Sequence, residues 1–448
     1  MASQHTFQSP KGTRDLYPLD AARRRFLTEA WRSASVRHGF EEVDGPTFEH
    51  LELYTVKSGE GIVSELFSFQ REGGEKTYAL RPEFTPTLAR LYAAKANSLP
   101  KPTKWFTSGP FFRAEKPQRG RLREFLQWNA DLLGDPSPAA DAEIIAACVS
   151  MLESVGLTPT DVRVKVNHRA ALASWLGQRG LDAAAQATLL ALLDAKAKTP
   201  PADFVAAVGR LGFSAQQAEV FQKGVVRITV DDPGAPVPSR SEEVIDLTFF
   251  ADAVMPLAQQ LVQARIMDWV DFDLSIVRGL AYYTGMVFEV HEAGGGERAI
   301  AGGGRYDGLV ELFGGPPTPA VGFGMGDVVL SLVLQDKGLM PTDARLLELA
   351  GMRPDVFVIA GGDPGAEMLV RPIVATLRRA GLHARHTYKA TRNVGKLLQE
   401  AAASHARKAI IIESGTTARV KDLETGEQDE TPRAVEAIID QFRQRRPS

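Results

Sequence analysis

Apolar and small residues recur at helical spacing over 19–38, LDAARRRFLTEAWRSASVRH, and the run stops at Gly39. That spacing predicts a helix ended by a residue free to turn. Segment 76–96, KTYALRPEFTPTLARLYAAKA, reads as a short strand running into a helix, with Thr85 as N-cap and Pro86 in the first turn. Residues 104–115 and 121–134 flank the polar loop KPQRG and predict a hairpin. In its second strand Leu122, Glu124, Leu126 and Trp128 share one parity, and Arg121, Arg123, Phe125, Gln127 and Asn129 the other. Neither parity is wholly apolar, which suits a strand covered by helices on one side and lining a polar site on the other.

Further on, the pattern predicts a helix over 140–155 and a strand over 162–168. The Ala- and Leu-rich stretch 169–253, with its joint PGAPVPSR, reads as a small helical insertion. A long helix over 252–268 leads into a strand from 273, a turn at Gly279 and a second strand over 286–291. Glycine is dense from 294 to 326, a helix follows over 327–336, and a mixed linker ends near Pro354. Then strands at 355–360, 382–388 and 409–413 alternate with helices at 364–380 and 391–404. Such a βαβαβ rhythm predicts a separate small α/β domain.

Composition narrows the class. The 448 residues are 44% apolar and 24% charged, ordinary for a globular chain of two or three domains. The net charge of −3 excludes a polycationic nucleic-acid coat, so any grip on a phosphate backbone must be local. From 351 on, Lys and Arg outnumber Asp and Glu, with clusters at Arg378, Arg379, Arg385, Lys389, Arg392 and Lys396. That excess permits an RNA contact. The N-terminus has no apolar signal core, and the longest greasy runs are too short to span a bilayer, so a cytoplasmic protein with no membrane role is expected. The single cysteine, Cys148, excludes an internal disulfide and a cysteine-clustered zinc site, and its apolar setting reads as core.

Four segments carry candidate chemistry. The hairpin joins 113-RAE-115 to 121-RLRE-124, and planar, fully charged guanidinium groups suit a two-pronged grip on phosphate, although a solvated charged loop tip reads the same way. In 278-RGLAYYTG-285 an Arg-Gly step allows close approach to a ligand, and the paired tyrosines alternate across a strand. The run 302-GGGRYDG-308 is either a bare turn or a strand passing tightly under a ligand; it is neither a P-loop nor a dinucleotide fingerprint. Finally, 81-RPEFTP-86 sets a carboxylate, the natural partner of an ammonium group, between strand and helix.

In this order and spacing the segments resemble the histidyl-tRNA synthetases over nearly the whole chain. The start 11-KGTRDLYP-18 is similar to that family's opening, and 45-GPTFEHLELY-54 to the end of motif 1, the dimer-forming element. Segment 112–134 resembles the ATP hairpin of motif 2, 277–289 and 301–310 resemble the two histidine signatures, and 322-GFGMG-326 resembles motif 3. The resemblance implies an α+β class II fold, an antiparallel sheet flanked by helices. Its domains would be a catalytic one over 1–335 holding the insertion, a linker over 336–354 and a mixed α/β anticodon-binding domain over 355–448. It implies a homodimer that joins L-histidine to tRNA(His) through a histidyl-adenylate, using ATP with Mg²⁺ and releasing AMP and diphosphate. No DNA partner is implied.

Residue by residue, Glu83 and Thr85 would hold the histidine ammonium group, with Gln127 and Asp131 completing the cradle. Tyr282 and Tyr283 would read the imidazole. Arg113 would bind the ATP α-phosphate, Glu115 and Arg121 would serve the nucleotide, and Arg278 would offset the charge that develops at phosphorus. Gln118, Arg119 and Arg121 would lie near the RNA acceptor end. The metal ligands are left unassigned. Two positions depart from the family pattern. Ala281 replaces an aspartate, and Val329 replaces the motif 3 arginine that clamps ATP. Losing one charged contact would cost about 1.5–3 kcal/mol, and Arg298 or Arg305 could compensate. A synthetase-like regulatory subunit of ATP phosphoribosyltransferase is the alternative, although that class typically lacks the C-terminal domain present here.

Overall fold

The computed structural model describes residues 7–58, 60–196, 199–226, 248–277, 283–295, 297–389 and 391–444. Arg278, Ala281, Tyr282 and the joint at 233–240 lie outside the described residues. The chain forms two compact units. The first runs to Met340 without Leu16–Phe26, and the second joins Leu16–Phe26 to the residues from Pro341 on.

The first unit is built on a nine-stranded sheet. In spatial order its strands are β1 (Glu41–Glu42), β5 (Thr103–Phe112), β6 (Glu124–Leu133), β12 (Ala320–Gly326), β11 (Ala301–Arg305), β10 (Met286–Glu292), β7 (Val162–His168), β9 (Val270–Asp273) and β8 (Val225–Val226). Pairing is antiparallel except for β1 with β5 and β7 with β9. A smaller antiparallel sheet sets β4 (Thr77–Leu80) between β2 (Phe48–His50) and β3 (Ser68–Gln70).

The hairpin forms as its alternation predicts, β5 and β6 pairing from Phe112 with Glu124 to Thr103 with Leu133. Trp128, on the apolar parity, stacks on Trp31 of helix Pro18–Arg37 at 6.4 Å, and its indole N–H donates to Ser35 Oγ at 2.9 Å. Helix Pro138–Ser154 is apolar almost all round and contributes Ile144, Ile145 and Cys148 to the core. Four helices, Arg169–Gln178, Ala183–Ala195, Pro201–Gly209 and Ala215–Lys223, make a cluster around Trp175, Phe204, Phe213 and Phe221.

Two expectations shift. The helix expected over 252–268 is Thr248–Gln263, and the strand expected from 273 ends there, as β9. The Asn167 side-chain amide donates to the carbonyls of Leu274 (3.0 Å) and Ile276 (2.8 Å), so these backbone groups are satisfied in a turn rather than in a ladder. Of the two readings of the glycine-dense stretch, the structure has the strand: Gly302, Gly303 and Gly304 lie in β11. The opposite face of the sheet is crowded there, and a Cβ on Gly303 would sit 2.5 Å from Phe323 Cβ.

In the second unit the parallel strands β14 (Ala384–His386), β13 (Val356–Ala360) and β15 (Lys408–Ile412) carry helices Pro364–Arg379 and Val394–Ala403. Antiparallel strands β16 (Thr417–Asp422) and β17 (Arg433–Ala434) extend the sheet, and helix Val435–Gln444 covers it. The stretch 336–354 contains a short helix, Asp343–Leu349, N-capped by Thr342.

Candidate functional site

Across the centre of the large sheet two neighbouring strands present glycine to one face. Gly304 pairs with Gly322, and Gly302 with Gly324. The flanking strands border this strip: Glu289 of β10 faces Gly302 beside the apolar Val287, which faces Gly304, and the polar Asp131, Asn129 and Gln127 of β6 face Gly322, Gly324 and Gly326. A Cβ on Gly322 would overlap the Asp131 carboxylate, and one on Gly324 would come within 2.8 Å of Gln127 Nε2. The strip is therefore a floor over which neighbouring side chains lean and a ligand can lie against backbone. Above it opens a cavity of about 480 Å³.

Two clusters line this cavity. The first holds Glu83, Thr85, Gln127, Asn129, Tyr283 and Tyr306. Glu83 and Thr85 come from the junction between β4 and helix Thr85–Ala93 and are nearly buried. Phe84, not Thr85, takes the N-cap place, because Thr85 and Pro86 already belong to the first turn. Gln127 Nε2 donates to Asn129 Oδ1 at 2.8 Å. At the β6 edge of the floor Tyr306 donates to Asp131 Oδ1 at 2.6 Å, while Asp131 Oδ2 is buried without a hydrogen-bond partner among the described residues. Burial raises the Asp131 carboxyl to about 7, against the bond from Tyr306, which lowers it. Tyr306 is itself pushed well above the usual phenol range by burial and the adjacent carboxylate.

The second cluster holds Arg113, Arg121 and Arg298 with Gly120, Val328 and Val329. Arg113 links the two clusters. Its Nε donates to the carbonyl of Pro82, beside Glu83, at 3.2 Å, and its guanidinium lies 5.2 Å over the Phe125 ring. Arg121 pairs with Glu115, so Glu115 serves the cavity through that arginine and is not part of the lining. Burial, then the charges of Arg298 and Arg113, hold Arg121 below the ordinary guanidinium range. The hairpin tip folds back: Gln118 bridges to Arg121 through the backbone, and exposed Arg119 donates to Glu297 at 2.6 Å and lies near Asp336. Asp327, the first residue of helix Asp327–Asp336 after the 322–326 glycines, accepts from the Leu126 N–H at 2.9 Å and from Arg14 at 2.6 Å.

Of the expected site residues, the structure thus gathers Glu83, Thr85, Arg113, Arg121, Gln127 and Tyr283 on one cavity, with Asp131 buried at the edge of its floor. It separates the two arginines considered for Val329. Arg305 is tied to Asp141 and Asp307 and to the carbonyls of Asp135 and Ser137, away from the cavity, whereas Arg298 lines it. Sequence reasoning missed Tyr306, Asn129, Glu289 and His291. Asn129 shares the parity of Gln127. Glu289 and His291 share one parity of β10 and bond to each other at 2.8 Å. Cys148 is fully buried and its thiol is raised, as expected of a core residue. Among the described residues there is no cluster of three or more His, Cys, Asp or Glu suited to a metal, and no helix is long and apolar enough to cross a membrane.

Comparison with known proteins decides the family. The profile of the histidyl-tRNA synthetases matches residues 12–326. A histidine–tRNA ligase of Opitutus terrae is 36% identical over 460 residues, covering 98% of this chain and 99% of its own.

This chain belongs to the histidyl-tRNA synthetase family.

Histidyl-tRNA synthetases are class II enzymes, and the antiparallel sheet with flanking helices, followed by a mixed C-terminal sheet, is their fold. The crystal structure of histidyl-tRNA synthetase from Nostoc superposes with a TM-score of 0.77 at 24% identity, covering 99% of this chain and 100% of that one. An ATP phosphoribosyltransferase regulatory subunit/histidyl-tRNA synthetase from Bacillus halodurans superposes with a TM-score of 0.68 at 21% identity, covering 92% and 99%. Both likenesses concern the fold alone.

Proposed function

We propose that this histidyl-tRNA synthetase family member ligates L-histidine to tRNA(His) in the cytoplasm, through a histidyl-adenylate formed from ATP with release of diphosphate and then AMP. The observation that carries the reading is one cavity holding Arg113 and Arg121 beside Glu83, Gln127 and Tyr283. The carboxylate of histidine is already anionic at neutral pH, so its attack on the α-phosphorus needs no strong base. It needs two anionic groups held together and the growing phosphoryl charge offset.

In this reading Glu83, Thr85 and Gln127 hold the ammonium end, and Tyr283 with Asp131 reads the ring. Arg113 binds the α-phosphate between these groups and the nucleotide, and Arg278 is assigned the developing charge. Gln118, Arg119 and Arg121 meet the acceptor end, whose ribose hydroxyl then takes the histidyl group. Mg²⁺ would arrive on the triphosphate, held largely by phosphate oxygens with Glu289, which also bonds His291, as a hard ligand on the cavity wall, and would supply further charge neutralisation. Residues 1–335 are the catalytic part and 355–448 the anticodon-binding part. The chain pairs as a homodimer through the exposed aromatic face of the β2–β4–β3 sheet.

Histidine-dependent exchange between ATP and pyrophosphate tests the reading. Wild type should exchange, and Arg113→Ala should lower the rate by about 100-fold or more, the usual loss for a preorganised charge-stabilising group. No exchange, with stimulation of a phosphoribosyltransferase instead, would transfer the chain to the regulatory class.

A further inference from the structure

One cation of the cavity has no part in the steps above. Arg298 stands in the loop between β10 and β11, half-buried, and lines the cavity. It converges with Val329 on Gly120 at the hairpin tip. A Cβ built on Gly120 would lie 3.2 Å from Val329 Cγ2 and 3.6 Å from Arg298 Cδ. Gly120 has φ +74°, so the tip can turn over this point with neither strain nor side chain. A cation at 298 thus reaches the same corner that a cation at 329 would occupy.

The local carboxylates are already paired. Glu297, whose Oε2 would lie 3.9 Å from the same Cβ, accepts from Arg119 at 2.6 Å, and Glu115 is paired with Arg121. Among the described residues no carboxylate lies within ion-pair distance of Arg298. Arg113 and Arg298 flank the Arg121–Glu115 pair on one partly dehydrated wall, where the excess of positive charge favours a polyanion. One phosphate against Arg113 leaves Arg298 unanswered; a chain of phosphates does not. Arg305 offers no substitute, because its guanidinium is spent on Asp141, Asp307 and backbone carbonyls.

We propose that Arg298 binds the distal phosphates of ATP and supplies from the β10–β11 loop the charge that Val329 cannot. This rests on the ATP reading above and adds a residue to it. In the proposed division of labour Arg113 answers the α-phosphate and Arg298 the phosphates that leave as diphosphate. No bond is made or broken by Arg298.

The test is equilibrium binding of ATP and of AMP by calorimetry without histidine, beside histidine-dependent exchange. Arg298→Ala should weaken ATP roughly 10- to 100-fold, the worth of one charged contact, with AMP affinity and the KM for histidine unchanged. Arg298→Lys should lose less, and Val329→Arg placed in the Arg298→Ala background should recover most of the ATP affinity. Unchanged ATP affinity in Arg298→Ala, or an equal loss for AMP and ATP, overturns the assignment. Wild type that binds ATP and shows no exchange would fail the ligase reading while the comparison of ATP with AMP still decides the role of Arg298.

Discussion

Asp131 is buried at the edge of the cavity floor with one oxygen bonded to Tyr306 and the other without a partner among the described residues. Its carboxyl is raised to about 7 from an ordinary value near 3.8, chiefly by burial. A raised acid adds stability that is complete below the unfolded value and is lost as pH climbs through the folded one. Asp131→Asn removes this titration. The thermal midpoint of the variant relative to wild type should therefore rise between pH 5 and pH 8, and a difference that stays flat with pH would disprove the linkage. At this scale much of the site was legible in the chain. The parity of Phe125 and Gln127 against Leu126 and Trp128 separated the cavity face from the packed face. Arg305 and Tyr306 were harder, because adjacent residues in a strand point to opposite faces. The arginine drew attention, and it was the tyrosine beside it that reached the site. Arg298 and Arg305 looked equivalent in sequence, and only the carboxylates folded around Arg305 distinguish them.

Among the elements, the hairpin and the β/α alternation after residue 355 were readable from periodicity and turn residues. The glycine strand at 302–304 stood only as one of two readings, because strand propensity reports a side chain's fit to a pleated surface, and glycine has none to fit. The reason for glycine lies across the ladder, in Phe323 and the carbonyl of Gly322, which no local window contains. Gly303→Ala should cost at least about 1–3 kcal/mol, since the new methyl meets backbone that cannot step aside. Gly308→Ala is its control: its Cβ meets nothing within 4 Å, and the change should stay within about 0.5 kcal/mol. Chemical denaturation of both variants checks this, and equal losses would mean that the close approach does not constrain the sheet. Likewise, the end of β9 was misjudged because the amide of Asn167, more than a hundred residues earlier, satisfies the turn.

For the whole molecule, composition bounded size and charge but gave no interface. The β2–β4–β3 sheet shows aromatic residues outward, with Phe48 and Phe69 49% and 44% exposed and each packed edge-on or tilted against Tyr78. Under the proposed homodimer this face meets its copy, and a stable contact should bury more than about 1,000 Å² in all. Phe48→Glu combined with Phe69→Glu should give monomers in sedimentation velocity, where wild type gives dimers. A double variant that still sediments as a dimer would move the interface elsewhere. The assignment of Leu16–Phe26 to the C-terminal unit, where Arg23 pairs with Asp343 at 3.0 Å, was beyond sequence reading altogether. A helix that looked like one amphipathic run is shared between two bodies.

The paving of the site by Gly302, Gly304, Gly322 and Gly324 also limits how its chemistry can be retuned. With no side chains there to exchange, the proposed selectivity is edited from the side chains around the strip, at Tyr283 and Asp131 or at Asn129 and Tyr306. A library aimed at a different amino acid would do well to leave the glycines alone and diversify those four positions.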